Sequence, residues 1–356
     1  MGAYVVGIEH RYYGTSLPEA QVSIKNLHQL HTEAAIEDAA VVQRKLMADK
    51  ELTGKWYTLG GSYGGTLAAD YRIAHPELAA GALAYSAPMH VTPQGFDTYE
   101  GVASAAYGEA LTQKIRTATT YILGKFDLGD EGKKWIKDNF GLPNSNFDQL
   151  DVASMFVTVI PEISQAGQNA FIAAQLSGNK TPEQLAQGLI ASLKNFDSSF
   201  WAETPYGVAQ DNPANISDTS RWVYQTYTQY GWHYVSDPDL SKSFSPIRID
   251  INFYKTRLAP LFANEQFMEY APYQDKLFQT LKTESSKIMF FNSSFDPWMS
   301  LSWLDSSRET SDILPFMTLK AHHCQGMGPM VSSPSALEYQ GQRFLLQKLK
   351  GWITQN

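Results

Sequence analysis

The sequence predicts an α/β protein, a parallel sheet flanked by helices and interrupted by a large helical insertion. Three observations carry this. Short apolar runs alternate with helix-like segments over residues 1–88. Helical patterns then dominate residues 89–285, with few buried-strand runs. The strand signature returns over residues 286–356. A sheet core built from 1–88 and 286–356 is therefore expected, with 89–285 inserted as a helical domain.

Taken in order, residues 3–8, AYVVGI, read as a buried strand, a short β-rich apolar run ending at a polar turn. Residues 32–49 read as a helix, with Thr32 as N-cap and Glu33 in the first turn. Ala35, Ala39, Val42 and Leu46 would lay its apolar stripe. KWYTLGG is a second strand, TLAADYRIAHP a helix that Pro76 helps to stop, and AAGALAYSAP a third strand. EALTQKIRTATTYILGKF and TPEQLAQGLIASLKNF are helices of the insertion. KIMFFNSSFDPW and PFMTLKAHHC each break from an apolar run into a turn, and LEYQGQRFLLQKLKGWI closes the chain as an amphipathic helix.

Composition narrows the class. The chain has 356 residues, 43% hydrophobic and 18% charged, which fits one or two globular domains. Its formal charge is −8 without any Lys/Arg run, arguing against nucleic acid and anionic membranes as partners. No apolar run is long enough for a membrane span. Cys324 is the only cysteine, which excludes an intrachain disulfide and a paired-cysteine metal site. The opening MGAYVVGIEHRYYG lacks the basic region and cleavage site of a signal peptide. No metal or cofactor is expected, and His10 reads as a structural neighbour of the sheet. A homodimer is compatible with the sequence.

Gly60-Gly61-Ser62-Tyr63-Gly64 satisfies G-x-S-x-G. Ordinary usage produces that pattern by chance in roughly one chain in ten of this length, so context must decide. Here it falls between a predicted strand and a predicted helix, where the nucleophile elbow of an α/β-hydrolase fold belongs. Small residues at Gly60 and Gly64 would let strand and helix approach. The Tyr63 backbone N–H would face a developing oxyanion. A serine needs a base, and that fold orders them Ser, then acid, then His. Asp296 follows KIMFFNSSF, and His322 and His323 follow PFMTLKA, so both groups sit past strand ends. Either histidine fits. Cys324 as a thiol nucleophile is disfavoured because no elbow surrounds it.

These residues resemble the serine carboxypeptidases and aminopeptidases grouped around lysosomal prolyl carboxypeptidase, dipeptidyl-peptidase II and thymus-specific serine peptidase. EHRYYGTSLP, GGSYGG, GALAYSAPM, RWVYQTYTQYGW, DPWMSLS and HCQGM follow that family's motifs in order along nearly the whole chain. The resemblance implies Ser62, Asp296 and His323 as the triad, with His322 the rival base. It implies a helical cap, from which Trp222, Tyr224 and Gln225 face the substrate. It implies an exopeptidase cleaving short peptides, with a preference for proline, in a secreted, periplasmic or lysosome-like compartment. Tyr227 stands where the family has a cysteine, and Gly326 where it has Asp. Strands that precede EHRYYG in the family, with a Gly-rich turn supplying a second oxyanion donor, are expected to be missing here. One such donor is worth ~3 kcal/mol. The residues alone leave open an esterase or lipase, and a non-catalytic homologue acting as a binding protein.

Overall fold

Four parallel strands pair side by side in chain order among the described residues: β1 (Tyr57–Gly61), β2 (Gly81–Tyr85), β3 (Ile288–Ser293) and β4 (Ile313–Thr318). The structure, a computed structural model, describes residues 4–354 apart from 264, 284, 306–312, 319 and 329–336. The register sets Gly61 beside Tyr85, and Tyr85 beside Phe291. All four strands therefore end on the same edge. β2 and β3 are buried throughout, as strands covered on both faces must be.

The period of two sorts their side chains. Ala82, Ala84, Ile288 and Phe290 face one layer and pack with Ile36, Ala69 and Leu281. Leu83, Tyr85, Met289 and Phe291 face the other and pack with Leu345 and Trp352. The first layer holds α1 (Thr32–Asp49) and α2 (Tyr63–Ala74). Between β2 and β3 the chain forms α3 (Tyr99–Tyr107), α4 (Glu109–Leu123), α5 (Gly129–Phe140), α6 (Gln149–Gln165), α7 (Asn169–Gln175) and α8 (Pro182–Phe196). It continues through α9 (Pro205–Val208), α10 (Asp218–Gln225), α11 (Ile251–Leu258) and α12 (Ala271–Thr283). After β4, α13 (Leu337–Thr354) covers the second face.

Local chemistry explains the main helix starts. Asp148 caps α6 by accepting the Leu150 and Asp151 N–H groups, while Asp151 accepts the Asp148 N–H. Thr181 and Gln184 make the same reciprocal pair ahead of Pro182 on α8. The helical residues hold their own core, in which Ile115, Phe156, Leu189 and Phe262 are fully buried. Tyr12, Val22, Leu27 and Leu30, from the segment preceding α1, pack into that same core. The cysteine-free position Tyr227 is filled by packing, its ring 5.9 Å from Phe262 and 5.4 Å from Phe267.

Three expectations differ from the structure. Residues 4–8 form no strand: Tyr4, Val5 and Ile8 are exposed, and the run makes no ladder with β1. An apolar run needs a partner edge to become a strand, and this one has none among the described residues. The N-cap of α1 is His31, whose Nδ1 accepts the Ala34 N–H at 3.3 Å. Thr32 is taken instead by tertiary bonds, its N–H donating to Gln229 Oε1 at 2.7 Å. The buried stripe of α1 is Thr32, Ile36, Ala40 and Gln43, one position round the helix from the alanine stripe, with Val42 exposed. Ile36 and the Gln43 hydrogen bonds to Leu78 and Tyr71 decide the rotation.

Asp70 on α2 is buried with neither carboxylate oxygen partnered. Burial raises its pKa well above the usual carboxylate range. The folded state then holds the proton more tightly than the unfolded one. This group's contribution to stability is full below the unfolded pKa, about 3.9, and is lost as pH rises. Asp70→Asn is expected to raise the thermal midpoint over that of the native chain, by a margin that widens from about pH 4 to about pH 8. Melting curves across that range check it, and a constant margin would contradict the burial account.

Candidate active site

Ser62 lies between β1 and α2 with φ 57° and ψ −133°, a backbone conformation that L residues avoid. Such a residue costs of order 1–3 kcal/mol and persists only when its surroundings impose it. Here they do. The Ser62 N–H donates to Tyr85 O at 2.9 Å, tying the turn to the end of β2. A Cβ on Gly60 would run into the Gly64 carbonyl, and one on Gly65 would lie 2.7 Å from Tyr85 O. Gly64 itself has open space around it. The close approach of strand and helix thus rests on Gly60 and Gly65, not on Gly64. Tyr63 is the first residue of α2, so its N–H has no acceptor within the helix.

The other strand ends converge on this turn. Ser86, after β2, has φ 45°, and Cys324, after β4, has φ 54°. The Cys324 N–H donates to Ser86 Oγ at 2.9 Å, and the Ser86 N–H to Phe291 O at 2.8 Å. A Cβ on Gly61 would meet the Cys324 and Met327 sulfurs, so the turn after β4 packs directly on the Ser62 turn.

Asp296, past β3, is fully buried. Its Oδ1 accepts the Trp298 N–H at 3.0 Å and His323 Nδ1–H at 2.8 Å. With Nδ1 so engaged, Nε2 lies on the far side of the ring, where it is buried without a partner. Burial alone would lower the imidazole pKa, but the charge and hydrogen bond of Asp296 outweigh it and hold it well above the ordinary value. His322 turns the other way. Its Nδ1 is 2.8 Å from Ser164 O, and its ring packs on Gly167 at the end of α6. Of the two adjacent histidines, the structure joins His323 to Asp296 and His322 to the helical layer.

Tyr63 points its side chain into that layer. His10 Nδ1–H donates to Arg11 O at 2.7 Å, leaving Nε2 to accept from the Tyr63 hydroxyl at 3.1 Å. Gln225 Nε2 donates to the same hydroxyl at 3.1 Å, and Thr32 Oγ1 lies 3.0 Å away. Trp222 stands beside the Tyr63 ring, centroids 5.4 Å apart. Tyr224 does not join this group. Two residues from Trp222 on α10, it faces the opposite side and is buried edge-on to Phe262, ring centroids 5.4 Å apart.

Sequence reasoning missed the contribution of α6 and α3. The His323 N–H donates to Gln165 O at 3.3 Å. Gln165 Oε1 accepts from Tyr99 OH at 2.8 Å and Trp298 Nε1 at 2.7 Å. No motif marks Gln165, because only the docking of α6 on the His323 turn gives it this role.

A strained serine at a strand–helix turn, with an Asp–His pair past two later strands of the same sheet, defines a serine hydrolase of the α/β-hydrolase fold. The profile of the serine carboxypeptidase S28 family matches residues 1–341, and the chain belongs to that family and is a serine peptidase. It is 25% identical over 392 residues to thymus-specific serine protease of Mus musculus, covering 99% of this chain and 75% of the relative. The Homo sapiens thymus-specific serine protease gives 25% over 391 residues, 99% of this chain and 74% of that protein. Lysosomal Pro-X carboxypeptidase of Mus musculus is 45% identical over 94 residues, 24% of this chain and 19% of the relative.

The glycines of the turn yield a paired test. Gly60→Ala is expected to lower the thermal midpoint sharply or prevent folding, since backbone atoms block the new methyl. Gly64→Ala is expected to fold with a midpoint equal to or above the native one, because Ala favours a helix by up to about 1 kcal/mol over Gly. Equal loss from both would contradict the packing described.

Proposed function

We propose that Ser62 is the nucleophile, His323 the general base and Asp296 the group that orients it. The observation that carries this reading is the 2.8 Å bond from His323 Nδ1 to Asp296, which leaves Nε2 without a partner. Ser62 Oγ attacks the carbonyl carbon of the scissile bond while His323 Nε2 takes its proton. The proton then passes to the leaving amine, and water, deprotonated by the same nitrogen, hydrolyses the acyl-enzyme. Asp296 holds the imidazole in the required tautomer and stabilises the imidazolium. The Tyr63 N–H donates to the oxyanion, and the hydrogen bonds of His10 and Gln225 fix the residue that carries it.

The helical residues 89–285 act as a cap over this centre. Trp222 faces the substrate from it, while Gln225, itself buried, acts through its hydrogen bond to the Tyr63 hydroxyl. Tyr224, packed into the helical core, does not face it. The substrates are short peptides cleaved from one end. Tyr63 and Trp222, the partly exposed edge of an aromatic cluster whose Tyr99, Tyr230, Trp232 and Trp298 are buried beneath them, offer flat apolar surface suited to a proline ring. Proline preference is the property named in the Pro-X carboxypeptidase relative.

A fluorophosphonate probe should label the native chain and not Ser62→Ala; labelling of the variant would remove the nucleophile assignment. His323→Ala should lower kcat by about a thousandfold or more, and His322→Ala by less than about tenfold. The reverse order would exchange the two histidines. Asp296→Asn should cost about 10⁴ in kcat. The imidazole works as the neutral base, so activity rises with pH through its pKa. With that pKa raised by Asp296, the acid limb of kcat/KM should lie above about pH 6.5 in the native enzyme. In Asp296→Asn the limb should move downward, as rate profiles of the residual activity would record.

A further inference from the structure

We infer that Gln165 is a substrate-binding residue, its side-chain N–H donating to a backbone carbonyl of the bound peptide. The inference rests on the site being the peptidase centre proposed above. It adds a polar contact to a wall that otherwise offers aromatic surface.

Donor and acceptor chemistry fixes which way the amide lies. An indole N–H can only donate, so the Gln165 atom 2.7 Å from Trp298 Nε1 is the carbonyl oxygen. The Tyr99 hydroxyl donates to the same oxygen at 2.8 Å. Both lone pairs of Oε1 are then engaged, and the NH2 group occupies the other branch of the amide. Among the described residues, none accepts a hydrogen bond from Nε2. Nor is that nitrogen sealed in. Gln165 is half-buried, and Nε2 is not one of the buried polar atoms that lack a partner, so solvent reaches it. Two N–H donors are thus presented by a side chain whose oxygen is already held.

Its neighbours place it at the site. Gln165 closes α6, and its backbone carbonyl accepts the His323 N–H at 3.3 Å. Trp298 stands two residues past Asp296, whose carboxylate accepts its N–H at 3.0 Å. Tyr99 and Trp298 belong to the aromatic cluster whose partly exposed edge, Tyr63 and Trp222, adjoins Ser62. The amide therefore stands where the turn bearing the base, the turn bearing the acid and the aromatic wall meet. Held at its oxygen and at its backbone, it has little freedom left to lose when a ligand arrives. A neutral NH2 group matches a neutral acceptor. A peptide carbonyl is one, whereas a carboxylate would bring a charge that none of Gln165, Trp298 and Tyr99 offsets. A contact to a carbonyl beside the scissile one would hold the reacting carbon in register with Ser62.

Calorimetry on the Ser62→Ala chain tests this without turnover. An Ala-Pro-Ala tripeptide amide is compared with analogues in which sulfur, the weaker acceptor, replaces one carbonyl oxygen at a time. At one position the replacement is expected to weaken binding about fivefold. Gln165→Glu keeps an oxygen for Trp298 and Tyr99 and exchanges the NH2 group for a second oxygen. In the Ser62→Ala background it should weaken the all-oxygen peptide at least about tenfold and remove the sulfur effect. A role confined to holding the His323 turn would weaken all the peptides alike and leave their ratios unchanged, which overturns the inference. Unchanged binding in the variant, no sulfur effect in the Ser62→Ala chain, or no binding of any peptide overturns it as well. Melting curves verify folding; should Gln165→Glu not fold, Gln165→Met decides by the same comparison. Fluorophosphonate labelling of the native chain reports the triad separately. Absent labelling with Gln165-dependent binding would discard the triad and keep the contact.

Discussion

The structure depends on one strained residue. Ser62 is held at φ 57° where β1 passes into α2, and the surrounding contacts keep it there. Gly60 and Gly65 allow strand, helix and neighbouring strand to close around it, and the bond to Tyr85 O fastens it to β2. Ser86 and Cys324 sit in positive-φ turns of their own, linked to each other by a hydrogen bond. The parallel register does the rest, bringing the ends of β1, β2, β3 and β4 to one edge.

Much of this was legible in the sequence where signals are local. The glycine turn, β2 and β3, and the helices starting at Glu109 and Pro182 carry their period, caps or breakers in neighbouring residues. The order of Ser62, Asp296 and His323 was readable because each follows an apolar strand. The illegible parts depend on distant partners. AYVVGI has strand composition, but composition cannot supply a neighbouring edge. The α1 stripe is rotated by contacts to α2 and Leu78 that its own spacing does not encode. His322 and His323 are equivalent in sequence, and α6, more than a hundred residues earlier in the chain, separates them.

The helical layer holds together by aromatic packing, without cross-links. Tyr227, His233, Tyr254, Phe262 and Phe267 form a continuous aromatic cluster, with His233 stacked on Tyr254 at 4.6 Å. Burial lowers His233 to about 3, so it stays neutral in that cluster at any ordinary pH. The same layer reaches the site through Gln225, Trp222 and Gln165. Tyr227 of the cluster directly follows α10, which carries Trp222 and Gln225, so large-to-small changes in the cluster should be felt at the candidate site as well.

The sheet is also assembled out of step with synthesis. β1 and β2 are neighbours in the chain, whereas β3 begins only at Ile288, after the whole helical layer. A growing chain has Ser62 long before it has Asp296 and His323, which follow β3 and β4. Long-range pairing of this kind is also the slow step of folding. The fold thus brings the Ser62 turn and the Asp296–His323 pair to one edge only once β3 and β4 have joined the sheet.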